Sequence, residues 1–272
     1  MTVLVTGARG TISAAVLRHL TDAGADVRVA SSTPQPGQVR LDLHDPTTFD
    51  AALRGVSQVF LYAHAPTAAD VAAAAATAGV EHVVLLSSNA VTAVADPAVN
   101  PMAAPFLAAE TALRAGPVPV TVLRPGSFCG NARQWAHAVR ARRPVELPYP
   151  HARVDAVDEG DIAEVAYRVL TGSGLRGATL DLTGPEAISL ADQVHVVAAA
   201  LGATVTVEPV TRERWKRSVD RYLTGDHADA LLDYWQGLER HPAPISTAVA
   251  DVTGRPATGF AIWAERHVDM FR

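Results

Sequence analysis

Residues 6–13 read Thr-Gly-Ala-Arg-Gly-Thr-Ile-Ser, directly after the β-branched run Thr2–Thr6 and at the start of the amphipathic stretch Thr11–Leu20. Glycines at 7 and 10 let a strand turn sharply into a helix and let the backbone approach a ligand closely. The helix that opens there presents unpaired N–H groups and the positive end of its dipole, which together suit a pyrophosphate. Ser13 stands where such turns carry a third glycine, and its small side chain still permits close helix–strand packing. The bland alternative is a tight strand-to-helix turn with no ligand. The strand–turn–helix context favours the phosphate-binding reading.

The residues beyond Leu20 support that context. Short Val/Leu runs alternate with alanine-rich helical stretches: strands at Asp26–Ala30, Val39–Leu43, Gln58–Ala63, His82–Ser88 and Val118–Arg124, with helices between them at 45–53 and 66–78. Continuous apolar runs, rather than strict alternation, are what a sheet covered on both faces requires. Strand and helix in strict turn predict a doubly wound parallel α/β sheet. After Gly126 the pattern changes. A helix at 131–142, a Pro-rich turn at 147–150, strands at 153–157, 178–183 and 204–209, and helices at 162–170 and 189–201 are predicted, with a mostly helical remainder. We therefore expect a nucleotide lobe over 1–150, its sheet completed by segments within 153–183, and a smaller, interleaved C-terminal lobe over 184–272.

Composition excludes several classes. Hydrophobic residues make up 49% and charged residues 19%, which is incompatible with a disordered chain. The net charge of −5 argues against a nucleic-acid partner. The single cysteine, Cys129, points to a reducing compartment, and the absence of a secretory leader or an apolar span predicts a cytoplasmic protein with no membrane partner. No spacing for a metal site is present. Of the 23 basic residues one alone, Lys216, is lysine, so chemistry that needs a lysine elsewhere is closed to this chain.

The second strand ends Ala30-Ser31-Ser32-Thr33, without the acid that would bind the ribose 2′-hydroxyl of NAD. Arg9, inside the glycine turn, can reach a 2′-phosphate, with the hydroxyls of Ser31 and Ser32 sharing it. NADP(H) is thus favoured over NAD(H). Asp42 and Leu43 either border the adenine or, in the case of Asp42, cap the next helix.

Taken together, TGARGTIS (6–13), LDLHDP (41–46), AGVEHVVLLSSNA (78–90), AAETALRAG (108–116), TVLRPGSFCGN (121–131), DEGDIAEVA (158–166), LTGPEAISLAD (182–192) and TGRPATGFAIWA (253–264) resemble the NmrA-like branch of the atypical short-chain dehydrogenase/reductases, over almost the whole chain. The resemblance implies a Rossmann-type lobe, a smaller C-terminal substrate lobe and a cleft between them. It implies an NADP(H) site at Gly7, Arg9, Gly10, Thr11, Ile12 and Ser31. The wall near the nicotinamide would come from Ala63-His64-Ala65, from Ser87-Ser88-Asn89 and from Pro125-Gly126-Ser127-Phe128.

One departure matters. Short-chain dehydrogenases pair a tyrosine with a lysine four residues on, so that the phenol can pass a proton. Here no tyrosine lies between Tyr62 and Tyr149, and the matching helix reads Phe106-Leu107-Ala108-Ala109-Glu110. Three outcomes stay open: a reductase delivering hydride to a conjugated carbonyl or quinone-like small molecule that needs little acid help, a non-catalytic NADP(H) sensor, and a non-redox tailoring enzyme of natural-product biosynthesis. The candidate proton donors or substrate contacts are His64, Ser88, Tyr149 and His151. Asn131 and Trp135 are further substrate candidates; the alternatives are a helix cap for Asn131 and a core position for Trp135. Cys129 reads as an apolar filler, and Asp155, Asp158 and Asp161 as helix-capping charges. The oligomeric state is open between monomer and homodimer.

Overall fold

A computed structural model describes residues 1–223 and 225–272. Among them, seven strands form one fully parallel sheet: β1 (Thr2–Val5), β2 (Asp26–Ser31), β3 (Val39–Arg40), β4 (Gln58–Tyr62), β5 (His82–Leu86), β6 (Val120–Pro125) and, after an excursion into the second lobe, a late strand over Thr179–Leu182. The order is β3-β2-β1-β4-β5-β6 followed by that late strand. The chain steps outward from β1 in one direction, then returns to the other side of β1 at β4. The reversal leaves a crevice at the carboxyl ends of β1 and β4, where open α/β sheets bind ligands.

The pleat sorts the apolar runs. Leu4, Val59, Leu61, Val83, Leu85, Val120 and Val122 face one layer of helices: α1 (Thr11–Asp22) is not among them, but α2 (Phe49–Leu53), α3 (Ala68–Thr77) and, after the short α4 (Ala90–Ala93), α5 (Ala104–Arg114) are. Val3, Val5, Phe60, Val84, Leu86 and Leu123 face the opposite layer, formed by α1 and a later helix over 159–171. Both faces are dry, as the unbroken Val/Leu runs require.

Beyond β6 the chain builds the second lobe. It contains α6 (Ala136–Arg140), β7 (Val145–Leu147) and β8 (Arg153–Val154); the chain then returns to the main sheet with α7 (Glu159–Thr171), the helix that packs beside α1, and with the late sheet strand, β9. Then come β10 (Ile188–Ser189), α8 (Leu190–Ala200), β11 (Val207–Pro209), α9 (Arg212–Val219), α10 (Gly225–Leu238), α11 (Ala248–Thr253) and α12 (Phe260–Arg266). A separate core joins Trp135, Val139, Val194, Trp215, Leu232, Trp235, Trp263 and Phe271.

The sequence reading needs correcting in places. Segment 153–157 contributes only β8, which pairs antiparallel with β10 and not with the main sheet. Segment 204–209 shortens to β11, parallel to β7. The helix placed at 131–142 is a 3-10 stretch over Cys129–Trp135 followed by α6. No helix among the described residues is long and apolar enough to cross a membrane.

Candidate active site

The turn after β1 has the predicted form. Gly7 has φ +66°, a left-handed conformation that favours glycine, and the Gly10 amide donates to the Gly7 carbonyl at 2.8 Å. α1 starts at Thr11 with no side-chain cap and no acid in its first turn, which leaves its dipole and first amides for an anion. Ser13 is fully buried and its hydroxyl donates to the Thr6 carbonyl at 2.7 Å, so a serine replaces the third glycine with a hydrogen bond and no loss of packing. Thr6 ties the neighbouring strand in: its hydroxyl donates to the Phe60 carbonyl (3.0 Å) and accepts from the Tyr62 amide (3.2 Å).

A cavity of about 370 Å³ opens on this turn. Gly7, Arg9, Gly10, Ser31 and Ser32 line it together, with Asp42, Leu43 and His44 on the far side. Arg9 is exposed and has no hydrogen-bond or ion-pair partner among the described residues, so its guanidinium is available to an anion. Ser31 is nearly buried and accepts from the Thr33 amide at 3.2 Å. The His44 amide donates to the Asp42 carboxylate (3.0 Å) and holds its pKa below the usual range. The cap of the following turn is Asp45, which accepts from the Thr47 amide. Asp42 is therefore left at the cavity wall.

The sequence reading missed Tyr62. Its ring forms a wall of the same cavity and lies across the two glycines. A Cβ on Gly7 would sit 2.7 and 2.9 Å from its ring carbons, and one on Gly10 would sit 2.8 Å from its hydroxyl. The glycines are thus required by a side chain of this chain. The signal was in the pleat: Tyr62 lies two residues after Phe60, on the same face of β4.

The loops after β5 and β6 are held by a carboxylate the sequence reading took for a cap. Asp155 is fully buried. It accepts from Asn89 Nδ2 (2.6 Å) and from the Ser127 amide (3.1 Å), and it occupies the space where Gly126 has no side chain. Burial pushes its carboxyl pKa up, against the hydrogen bonds that favour the charged form. The neighbouring acids differ in role: Asp158 caps α7 by accepting from Gly160, and buried Asp161 accepts from Arg255 and Thr258. Pro125 and Gly126 are fixed by backbone bonds to Asn89 and Leu182, and Phe128 bridges to Val157. Ser87 is buried and donates to Glu110 (2.6 Å), which holds Arg124 bidentately. Ser88 is half-buried, and its oxygen accepts from the Ala90 amide at the start of α4.

Asn89 also opens a second cavity of about 750 Å³, at the carboxyl edge of the sheet. α10 closes it with Asp233 and Tyr234, β9 contributes Asp181, and the 241–246 loop supplies His241. Burial, with Asp155 nearby, keeps the Tyr234 phenol protonated well above its ordinary pKa.

The remaining candidates are not among the residues that line these two cavities. His64 hydrogen-bonds Thr67 (3.0 Å) and packs edge-on against His44; desolvation lowers its pKa. Ala63 and Ala65 pack against the α2/α3 core layer. The Tyr149 hydroxyl accepts from Arg212 (3.3 Å) inside the second lobe, and His151 is exposed, its amide facing Glu239. Asn131 is exposed within the 3-10 stretch, and Trp135 is buried in the second core. Cys129 is fully buried, and burial pushes its thiol far above the thiolate range, which removes it as a nucleophile.

Sheet order, glycine turn and uncapped helix define a dinucleotide-binding protein of the Rossmann type. The free α1 amides and the unpartnered Arg9 suit the anionic groups of a dinucleotide. A family profile described as NAD(P)H-binding matches residues 7–172. The chain belongs to that NAD(P)H-binding family. It is 35% identical over 289 residues to a (4-alkanoyl-5-oxo-2,5-dihydrofuran-3-yl)methyl phosphate reductase of Streptomyces griseus, with 99% of each chain covered. It is 30% identical over 285 residues to an NAD(P)H azoreductase of Xenophilus azovorans, again with 99% of each covered. Among solved structures, an NADPH-dependent quinone oxidoreductase of Escherichia coli complexed with NADPH superimposes with a TM-score of 0.83 at 22% identity, covering 97% of this chain and 99% of that one. A Citrobacter triphenylmethane reductase complexed with NADP(H) gives 0.83 at 19%, covering 98% and 100%. These two likenesses concern the fold.

Proposed function

We propose that this chain is an NADPH-dependent reductase of small conjugated carbonyl or quinone-like compounds. The observation that carries the reading is the pair of cavities: one on the glycine turn, and a larger one at the same sheet edge, beside the Asn89–Asp155 tether. Bound in the first, the reduced nicotinamide nucleotide supplies a hydride; the chain supplies the rest. The first amides of α1 hold the pyrophosphate. Arg9, with Ser31 and Ser32, receives the 2′-phosphate, which sets the preference for NADPH over NADH. Asp155 fixes the loops after β5 and β6, so Asn89 and Ser127 keep their places around the reacting end.

Acceptor reduction also needs one proton. The tyrosine–lysine pair is missing, and α5 offers Phe106 and the buried, Arg124-paired Glu110 in that region. Tyr234 faces the larger cavity as a neutral phenol and hydrogen-bonds the oxygen on which charge develops; the proton comes through it from solvent. The relatives named as reductases of an azo compound and of an unsaturated lactone phosphate act on conjugated acceptors, which supports this substrate class.

The test is NADPH oxidation with a panel of quinones, enones and aldehydes, using nucleotide deuterated at nicotinamide C4. Deuterium recovered at carbon in the reduced enone or aldehyde is the expected result; on quinones, where the label exchanges from the hydroquinone oxygen into water, NADPH oxidation itself is the readout. Tight NADPH binding with no turnover on any acceptor would replace this reading with that of a non-catalytic sensor.

A further inference from the structure

The larger cavity also carries information about which acceptor enters it, given the reductase reading on which this inference rests. Its lining includes the carboxylates Asp181 and Asp233 and the imidazole of His241, and, among the described residues, no arginine or lysine. Asp233 is neutralised by Arg212 at 2.7 Å. Asp181 is exposed on β9 and has no hydrogen-bond or ion-pair partner among the described residues. Its in-register neighbour on β6 is Arg124, but that guanidinium is engaged bidentately by buried Glu110 at 2.9 and 2.6 Å. Buried Asp155 lies behind Asn89, close enough to Tyr234 to raise its pKa. The balance around the cavity is therefore negative, with one carboxylate unmatched.

A phosphate monoester needs the opposite. It carries nearly two negative charges at neutral pH and is bound by arginine forks, lysines or free backbone amides. The Streptomyces griseus relative is named as a reductase of such a phosphate. This cavity offers that group no cation and one uncompensated carboxylate, and desolvating like charges together is unfavourable. We infer that the acceptor reduced by this chain bears no anionic group: a neutral acceptor enters, and one carrying a protonated amine is held beside Asp181. The discrimination resides in Asp181, which the chemical step does not require.

The experiment compares three forms of one naphthoquinone, bearing a hydroxymethyl, an aminomethyl or a phosphomonoester substituent, with NADPH saturating. We expect kcat/KM for the phosphate form at least tenfold below the hydroxymethyl form, and the aminomethyl form equal to it or better. Asp181→Asn is expected to narrow the phosphate penalty at least threefold, and raised salt to narrow it in the wild type. A phosphate form that matches or exceeds the neutral one, or a penalty untouched by Asp181→Asn in a variant with unchanged melting temperature, overturns the inference. Should no form be turned over, the reductase reading fails separately. The charge preference is then read by calorimetry, titrating the three fully reduced hydroquinones into the protein with NADP; stronger binding of the phosphate form overturns the inference there too.

Discussion

Gly10→Ala and Gly7→Ala look equivalent in the sequence, yet the structure separates them through Tyr62. Gly10 has φ −79°, which any residue adopts, so an alanine there meets only packing. Its Cβ would lie 2.8 Å from the Tyr62 hydroxyl, 3.3 Å from the Gly7 carbonyl and 3.6 Å from the ring carbon bearing that hydroxyl. The hydroxyl is the severe contact, and forcing it aside costs about 1–2 kcal/mol. Removing that oxygen by Tyr62→Phe leaves mainly ordinary contacts. Gly7→Ala meets ring carbons at 2.7 and 2.9 Å, which phenylalanine retains, and its φ of +66° adds about 1–2 kcal/mol whatever the ring does. Urea unfolding of the nucleotide-free protein should show Gly10→Ala destabilised by about 1–2 kcal/mol and most of this recovered in the Gly10→Ala/Tyr62→Phe double variant. Gly7→Ala should lose about 2–4 kcal/mol and recover little with the same partner change. Equal rescue of both, or rescue of neither, refutes this account of the turn.

Three further outcomes are expected from the same geometry. Arg9→Ala should weaken NADPH binding about 10- to 100-fold, the worth of a charge-assisted contact to a phosphate, and NADH binding about threefold or less; equal loss for both removes Arg9 from the 2′-phosphate site. Tyr234→Phe should lower kcat on carbonyl acceptors by about 10²-fold while leaving the NADPH dissociation constant unchanged; unchanged kcat would remove the phenol from the chemistry. His82 is fully buried between Gln58 and Thr121, and desolvation pulls its pKa from 6.5 to about 4. The unfolded chain binds this proton first, so its contribution is intact above pH 6.5 and is lost as the pH falls from there through about 4, by up to about 3 kcal/mol. Urea unfolding at pH 7 and pH 4 should show His82→Gln losing less stability between them than the wild type; an identical loss contradicts it.

What could be read from the sequence is what is local. The strand, glycine turn and helix at 2–22 are dictated by adjacent residues. The two-faced apolar runs of β4, β5 and β6 announce a covered parallel sheet. The rest depends on distant segments. Tyr62 meets Gly7 and Gly10 because β4 lies beside β1, a pairing no short motif states. Asp155 looked like a cap because it precedes a helix, yet its partners Asn89 and Ser127 reach it only once the chain has crossed between lobes. The larger cavity brings Asn89, Asp181 and Tyr234 together from three well-separated segments, while the candidates Tyr149 and Trp135 serve the second lobe's own contacts and core. Trp135 was ambiguous because an aromatic in an amphipathic stretch suits a core as well as a cavity wall.

The central claim is that the turn at 7–10 grips a phosphorylated nicotinamide dinucleotide. Calorimetric titration of the folded protein with NADPH and with NADH tests it most directly. A saturable heat corresponding to one NADPH per chain, with weaker binding of NADH, is predicted. No heat from either nucleotide on protein that melts cooperatively would contradict it.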